Sequence, residues 1–378
     1  MRELDPVHLN LFGGWTLFHY ADALAVLRDP RHSVEEANST PTPERQALKD
    51  LRGDRSAGSR AILNLDPPDH DRLRRLLSKA FTPKTVAALE PRIQEMVNTY
   101  LDEIGANGGG DIITDLAFPL PFLVISEMLG MPIEDAEMVR GWSHALVKTL
   151  DPIISEEETL AAMSSGDLMT DYVRQQIIHK RANPDNLLLS LLIRAEDDGD
   201  VLDERELLDQ VMLLFIAGHE TTVNLIGNST LALLNHPEQM ARLSKNPEIA
   251  GNATEELLRW DSPVQYSRRI ATADFEIGGK SIKSGDFVLT CLGSANHDPE
   301  RWGPTADVLD LGRDGAGGHL SFGSGIHHCM GAALARLEGR VALSSLANRF
   351  PTLSLAAPVT RNGRIVLRGL DALPVAII

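Results

Sequence analysis

The sequence predicts a mainly α-helical fold with a smaller β portion, and three observations indicate this. Helical periodicity dominates from about residue 83 to residue 194. Two further apolar segments of helical length follow, at 203–235 and at 330–350. By contrast, residues 263–282 and 351–378 show the shorter period and the turn residues that are typical of β-strands. Helices should therefore form most of the chain.

The N-terminal part mixes both kinds of element. Short strand-like pieces flank a predicted helix at 21–27, and a polar stretch at 36–60 predicts a loop with a short helix near 44–51. No internal repeat or interdomain linker is evident in the sequence. We therefore expect a single domain over residues 1–378, with β regions near 1–60, 263–290 and 351–378.

The long helical region is interrupted where turn residues cluster. Breaks are predicted at residues 107–110 and around Pro132, Pro152 and Pro184. The acidic run that begins at Ser155 predicts a surface turn between two helices. Those two helices would form the roof of a pocket.

Composition excludes several classes of protein. The 378 residues carry a formal net charge of −17, which argues against nucleic acid or an anionic membrane as the main partner. The only cysteines, Cys291 and Cys329, are too few for a disulfide framework or an iron–sulfur cluster. The N-terminus has no apolar leader, and the longest apolar span, 211–218, is too short to cross a bilayer. We expect a cytoplasmic protein without a membrane anchor.

One short stretch, Phe322–Glu338, combines glycines, a cysteine and the start of an apolar helix. Gly323 and Gly325 allow a tight turn and a close approach of the backbone to a flat group. Cys329 precedes the helical segment, where unpaired backbone N–H groups and the helix dipole favour a thiolate. Gly331 removes a side chain where a planar group would lie over the sulfur. The pattern indicates a loop that offers one thiolate to one cofactor.

Other interpretations of Cys329 remain open from the residues alone. A single cysteine is most often a small buried hydrophobe. A zinc site could use His319, His327, His328 and Cys329, although consecutive ligands rarely converge on one tetrahedron and no Cys-x-x-Cys pair exists. A cysteine–histidine nucleophile lacks a supporting motif.

A second informative segment is the apolar helix predicted at 203–235. Between Gln210 and Leu234 its only formally charged residue is Glu220. A helix that is apolar nearly all round is buried, so an acid in its middle needs a partner or a function. The neighbouring Thr221 can bond back to its own helix. A satisfied acid beside a kink is the alternative.

The run Phe322-Gly323-x-Gly325-x-His327-x-Cys329-x-Gly331, followed by Ala335-Arg336, resembles the haem-thiolate loop of the cytochrome P-450 family in its soluble bacterial form. Ala217-Gly218-His219-Glu220-Thr221-Thr222 is similar to the oxygen-activation motif of that family. His70-x-x-Leu73-Arg74, with Phe81-Thr82-Pro83 after it, is similar to the helix that binds a haem propionate. The resemblance covers nearly the whole chain and implies the cytochrome P-450 fold, with haem between the oxygen-binding helix and the cysteine-loop helix.

The resemblance also assigns roles to single residues. The catalytic pair would be Glu220 and Thr221, which relay protons, and Cys329 would bind the iron of haem b, iron protoporphyrin IX. The structural ion pair would join Glu256 to Arg259 and Arg313. The substrate pocket would include Leu214, Ala217, Val264 and Gln265. The residues that bind the cofactor would be His70, Arg74, Ala217, Gly218, Arg269, Phe322, Gly323, His327, Cys329 and Gly331, although Arg268 could replace its neighbour Arg269.

The implied function is that of a monooxygenase acting on an apolar small molecule. The haem would bind O2, and electrons would come from outside, because no fingerprint for a flavin, NAD or an iron–sulfur cluster occurs. A ferredoxin or flavodoxin with its reductase would dock on Arg72, Arg75, Lys79, Arg336 and Arg340. A peroxide-driven peroxygenase of the same fold, a non-enzymatic haem sensor and the zinc protein are the alternatives. The intact Glu220–Thr221 pair argues against the peroxygenase.

Overall fold

A computed structural model describes residues 1–41, 59–197 and 200–377. Over these residues the chain is mainly helical with a smaller β portion, which confirms the predicted fold class. The predicted helix near 44–51 lies outside the described residues. Among the helices that are described, none is long and apolar enough to span a membrane.

The described helices are numbered here in chain order. The first seven are α1 (Tyr20–Arg28), α2 (Asp69–Ala80), α3 (Pro83–Ala87), α4 (Glu90–Ala106), α5 (Pro119–Leu129), α6 (Ala136–Val147) and α7 (Glu156–Ala182). The next seven are α8 (Leu188–Ile193), α9 (Glu204–Asn235), α10 (Pro237–Lys245), α11 (Ala250–Trp260), α12 (Leu292–Ala295), α13 (Pro299–Trp302) and α14 (Ala332–Arg349).

The strands are short and form small sheets. They are β1 (Val7–Leu9), β2 (Trp15–Leu17), β3 (His32–Ser33), β4 (Gly109–Asp111), β5 (Glu196–Asp197), β6 (Asp200–Val201), β7 (Tyr266–Ala271), β8 (Phe275–Ile277), β9 (Lys280–Ile282), β10 (Phe287–Cys291), β11 (Leu353–Leu355), β12 (Thr360–Arg361), β13 (Leu370–Ala372) and β14 (Pro374–Ile377). A five-stranded sheet has the order β1-β2-β10-β7-β3, in which β2 and β10 are parallel. A three-stranded sheet has the order β11-β14-β4, and three antiparallel pairs, β5-β6, β8-β9 and β12-β13, complete the set.

Helix α9 lies at the centre of the molecule. It begins with a capping box, in which Asp203 accepts from the backbone N–H of Glu206 and Glu206 accepts from that of Asp203. It packs against α5, α7 and α14. Most of its side chains are buried from Val223 to Leu233, as expected of a helix that is apolar nearly all round. The predicted segment at 203–235 is therefore confirmed.

Helix α14 follows the cysteine loop and joins it to this core. The helix begins at Ala332 and ends at Arg349, inside the predicted range of 330–350. It packs against α4, α9, α10 and α11. The residue Cys329 therefore precedes a helix that is anchored on four others.

The prediction of a surface turn at Ser155 was wrong. Ser155 is instead the N-cap of α7, and its side chain accepts from the backbone N–H of Glu158, whose carboxylate accepts in return from the N–H of Ser155. Three glutamates in the first turn also interact favourably with the positive end of the helix dipole. The acidic run is thus a helix start.

Candidate functional site

The cysteine loop turns on two glycines with positive φ. Gly323 has a φ of 69° and Gly325 a φ of 75°, and residues other than glycine adopt such angles only with strain. A Cβ atom on Gly325 would also clash with the backbone carbonyl oxygen of Leu27 in α1. The backbone N–H of Cys329 donates to the carbonyl oxygen of Phe322 at 3.0 Å, which closes the loop.

The thiol of Cys329 is exposed to solvent but surrounded by protein atoms. Its side chain is exposed, yet burial is the largest influence on its pKa and raises it, while N–H groups of Gly331 and Ala332 and the charges of Arg74 and Arg336 lower it. The backbone N–H groups at the helix start therefore lower the pKa of the thiol, as the sequence predicts, but burial outweighs them. A bound cation would reverse this balance, since metal coordination deprotonates a thiol.

Gly331 leaves open space beside the sulfur. A Cβ atom placed on Gly331 would meet only the Sγ atom of Cys329, at 3.9 Å, among the described atoms within 4 Å. A flat group can therefore approach the sulfur from this side.

Four basic side chains from three segments of the chain form a second feature of the site. His70 on α2 is buried, and its ring lies 4.5 Å from that of His327 in the cysteine loop. The Nδ1 atom of His70 pairs with Asp71 at 2.9 Å, but its Nε2 atom is buried without a hydrogen-bond partner among the described residues. Arg74 and Arg269 are the other two, and their charges lower the pKa of His327.

The two arginines lack carboxylate partners within the described part of the chain. Arg74 is half-buried, and burial lowers its pKa while Cys329 raises it. Arg269 is 5% exposed, and burial lowers its pKa to about 10 although Asp66 opposes this. Among the described residues, its guanidinium donates to the Ser267 hydroxyl and the Arg268 carbonyl alone. Such costly burial of cations indicates that an anionic group belongs beside them.

Strand register decides between the two arginines of β7. Successive side chains point to opposite faces, so Arg269 is buried while Arg268 is exposed, with its guanidinium 5.2 Å from the ring centroid of Phe287. Burial also lowers the pKa of His327 to about 3, and the charge of Arg269 adds to this effect. Arg269, and not Arg268, therefore faces the basic cluster.

Helix α9 contributes the predicted acid–alcohol pair. The hydroxyl of Thr221 donates to the carbonyl oxygen of Ala217 at 2.8 Å, and Thr222 donates to Gly218 at 3.4 Å. The helix stays continuous through both back-bonds. The two small residues before this pair have different surroundings. Ala217 is exposed, whereas Gly218 packs against Ile125.

Glu220 has a partner that the sequence did not indicate. Its carboxylate lies 4.0 Å from Nδ1 of His144 on α6, and its side chain is 15% exposed against 52% for the histidine. The guanidinium of Arg364 donates to the same imidazole at 2.9 Å. Burial lowers the pKa of His144, and Arg364 and Lys148 add to this, whereas Glu220 and Asp371 raise it. A chain of titratable groups thus leads from Glu220 to the surface.

The predicted ion pair is buried and has three members. The guanidinium of Arg259 donates to Glu256 at 2.7 and 2.9 Å, and Arg313 donates to the same carboxylate at 3.1 Å. Arg259 also donates to the backbone oxygens of Asn296 and Ala306. The set therefore ties α11 to the segment that leads into the cysteine loop.

The predicted pocket residues do not share one environment. Leu214 packs against the main core, and Ala217 lies three residues further along α9. Val264 packs instead against a smaller cluster around α1 and α12. Gln265 lines a polar cleft of about 350 Å³ together with Trp260, Asp261 and His297. The amide of Gln265 also donates to the Ser262 carbonyl at 2.7 Å, which turns it toward that cleft.

Sequence reasoning missed one further acid, Glu338, which lies beside Thr222 of α9. Glu338 on α14 is buried, and one of its oxygens has no hydrogen-bond partner among the described residues. Burial raises its pKa to about 8 although a hydrogen bond from Thr222 opposes this. The sequence did contain a signal that Glu338 is buried. Leu334 and Ala342 lie four residues before and after it, and both are apolar, which places Glu338 on the buried face of the helix.

The donor set fits a haem. A porphyrin with two propionates needs cations for its carboxylates and an axial ligand for its iron. Arg74, Arg269 and the unpartnered Nε2 atom of His70 suit the first requirement. The exposed thiol of Cys329 beside Gly331 suits the second. A zinc tetrahedron is less suitable, because His319 is already bonded to Glu255 and to the Ser321 backbone.

Comparison with known proteins agrees with this arrangement. The family model "Cytochrome P450" matches residues 15–364. The chain is 40% identical to cytochrome P450 CYP107DY1 of Priestia megaterium, over 99% of this chain and 92% of that protein. It is 42% identical to the vitamin D(3) 25-hydroxylase of Pseudonocardia autotrophica, over 99% of this chain and 91% of that protein.

Solved structures extend this agreement to the fold. The structure of P450BioI in complex with an acyl carrier protein that carries hexadec-9Z-enoic acid superposes with a TM-score of 0.90. It is 36% identical in sequence, and the match covers 100% of this chain and 96% of that one. The chain therefore belongs to the cytochrome P450 family of haem-containing monooxygenases.

Proposed function

We propose that this chain binds haem b through Cys329 and uses electrons from a separate redox protein to insert one oxygen atom of O2 into an apolar small molecule. The observation that carries the proposal is the exposed thiol of Cys329, which lies beside the open space at Gly331 in a loop that also contains His327. We further propose that residues 1–378 act as one domain and that no flavin, NAD or iron–sulfur cluster binds to them.

Holding the cofactor is the task of the basic cluster. Arg74 and Arg269 are cations without carboxylate partners among the described residues, and each suits one propionate as a bidentate donor. The Nε2 atom of His70 is buried and is placed to donate to an anion once one is bound. His327 stacks edge-on against His70 and holds that ring in place. Haem bound in this way supplies the activation of O2.

Proton delivery is the task of α9. The hydroxyl of Thr221 is held by the carbonyl oxygen of Ala217, and Glu220 is the neighbouring acid. His144 is half exposed, so it exchanges protons with solvent, and it lies 4.0 Å from the Glu220 carboxylate. Protons would therefore pass from solvent to His144, across the 4.0 Å gap to Glu220 by way of one bridging water, and then to the Thr221 hydroxyl.

Electrons would arrive at the cysteine side of the molecule. Of the predicted docking set, Arg75 and Lys79 on α2 are exposed, whereas Arg72, Arg336 and Arg340 are partly buried. We propose that an acidic ferredoxin or flavodoxin docks on this set and meets Arg75 and Lys79 first. Steering by such charges weakens as salt screens them.

The substrate is apolar by this proposal, and two comparisons suggest a lipid-like size. One relative is named for vitamin D(3), and one similar structure holds a carrier-bound hexadecenoic acid. A titration of the ferric protein with sterols, fatty acids and macrolides tests this, because a substrate that displaces water from the haem shifts the visible spectrum. A library in which only polar compounds cause the shift would contradict the apolar class.

The ligand of iron is tested with two cysteine variants. Cys329→Ser should lose the red-shifted band of the carbonyl complex that marks thiolate ligation. Cys291→Ser is the matched control, because Cys291 is buried in β10 and should leave the band unchanged. A retained band in Cys329→Ser, or a parent protein without Soret absorption after expression with ample porphyrin, would refute the proposal.

The docking face is tested with charge reversal. Arg75→Glu combined with Lys79→Glu should slow haem reduction by ferredoxin at low salt and have less effect at high salt. Arg174→Glu, on α7, is the control, because that exposed arginine belongs to a different element. Equal reduction rates in the double variant and the control would place the docking site elsewhere.

Turnover with peroxide alone at the rate seen with ferredoxin would favour the peroxygenase.

A further inference from the structure

Arg336, predicted to be a docking cation, also belongs to a cluster of hydrogen-bonded side chains beside the cysteine loop. Its guanidinium donates to the Glu255 carboxylate on α11, at 2.5 Å from Nε and at 3.2 Å from its second nitrogen. The same carboxylate lies 3.1 Å from Nε2 of His319. Burial favours protonation of Glu255, but the hydrogen bonds from His319 and Arg336 outweigh it and lower its pKa to about 2. Glu255 is therefore an anion.

The hydrogen bonds also fix the tautomer of His319. Its Nδ1 atom accepts from the backbone N–H of Ser321 at 3.1 Å, so Nδ1 carries no proton. Its Nε2 atom must then carry the proton and donate it to Glu255. A neutral His319 leaves one negative charge on Glu255 and one positive charge on Arg336 in the cluster.

Phe322 closes the cluster on the side of the loop. The guanidinium carbon of Arg336 lies 4.5 Å above the ring centroid of Phe322, and the ring of His319 lies 5.6 Å from it. The carbonyl oxygen of Phe322 accepts from the backbone N–H of Cys329 at 3.0 Å. The cluster therefore positions the residue that holds the cysteine backbone.

We propose that Glu255, His319 and Arg336 are positioning residues that set the electron affinity of the thiolate-bound cofactor, with the charges on Glu255 and Arg336 acting in opposite directions. This rests on the proposed ligation of iron by Cys329. The guanidinium of Arg336 lies over the ring of Phe322, and the carbonyl oxygen of Phe322 holds the backbone N–H of Cys329, so the charge of Arg336 lies against the cysteine loop. One-electron reduction adds a negative charge to the iron–thiolate unit, so Arg336 favours the reduced form and Glu255 disfavours it.

The proposal predicts opposite shifts for two neutralising substitutions. Arg336→Gln should make the ferric protein harder to reduce, and Glu255→Gln should make it easier to reduce. Equilibrium with a one-electron reference dye measures this, and we expect a change of roughly threefold or more in the reduction constant in each direction. The double variant should return close to the parent value, because it removes one charge of each sign.

Three controls separate charge from structural damage. Arg336→Lys keeps the positive charge but lacks the planar guanidinium, and its haem should be reduced as readily as that of the parent protein. Arg349→Gln removes a cation from the last turn of the same helix, where it pairs with Asp102, and should also reduce like the parent. The carbonyl-complex band reports in every variant whether the thiolate is still bound. If Arg336→Gln loses its haem, the reduction constants of Glu255→Gln and Arg336→Lys are compared instead, and the direction of their difference tests the proposal.

Shifts of the same sign in both single variants would show general loosening of the loop and would overturn the proposal. Unchanged reduction in both variants, with the thiolate band retained, would overturn it as well. If the parent protein itself lacks that band, the failure lies with the proposed ligand, Cys329, and not with this cluster.

Discussion

The buried acid Glu338 makes the stability of this protein depend on pH in a predictable way. Burial raises its pKa from 4.5 to about 8. The unfolded chain therefore loses this proton near pH 4.5, whereas the folded chain keeps it until near pH 8. Because the folded state binds more protons over this interval, the free energy of unfolding falls as pH rises. The full shift corresponds to roughly 5 kcal/mol.

Glu338→Gln removes the titration while preserving the shape of the protonated acid. Between about pH 5.5 and about pH 8.5, the variant should gain about 3 kcal/mol of stability relative to the parent protein. Urea unfolding of the purified proteins, followed by circular dichroism at several pH values, measures the difference. At the acid end the two proteins should unfold at similar urea concentrations.

The control is Glu157→Gln on α7, whose side chain is exposed. This variant should differ from the parent by the same small amount at every pH. Parallel pH profiles for the parent and Glu338→Gln would refute the reasoning, because they would mean that Glu338 titrates alike in the folded and unfolded chains.

The remaining predictions concern the ion set and the proton path. Glu256→Gln should lower the free energy of unfolding in urea by about 3–5 kcal/mol, because it leaves two buried guanidinium groups without their carboxylate. Arg242→Gln, which breaks the exposed pair with Asp310, should lower it by at most about 1 kcal/mol. Equal losses in the two variants would contradict this prediction. Thr221→Ala should keep the haem spectrum but divert electrons to hydrogen peroxide, measured per donor consumed, and fully coupled turnover would place proton delivery elsewhere. His144→Asn should slow donor-driven turnover severalfold and leave peroxide-driven turnover unchanged, since peroxide brings its own protons; equal slowing of both would exclude a relay role.

Local chemistry made part of the site predictable. The loop from Phe322 to Gly331 depends on glycines and a cysteine at fixed spacing, and both Gly323 and Gly325 have the positive φ that the pattern requires. The helix around Glu220 was equally clear, because a helix that is buried over most of its surface carries almost no charged residues. Features set within one segment were therefore accessible from the sequence.

Contacts between distant segments were not predictable in the same way. His144 and Arg364 meet near Glu220 although they lie on α6 and in the C-terminal region. Neither residue stands out within its own segment, since a histidine on a helix and an arginine in a loop are common on protein surfaces. The partners of Arg72 and Arg336 were hidden for the same reason.

The ambiguity between Arg268 and Arg269 shows what kind of information was missing. In a strand, a shift of one residue moves a side chain to the other face, and two adjacent arginines give no pattern that distinguishes the faces. The pairing of β7 with β10, in which Val288 lies opposite Arg269, fixes the register. Hydrogen bonds at Ala271, which donates to Asp286 and accepts from Gly285, hold the strand end in that register. The orientation of Arg269, which we propose binds a haem propionate, therefore depends on the turn near residue 285, so a substitution in that turn should weaken haem binding without touching the site.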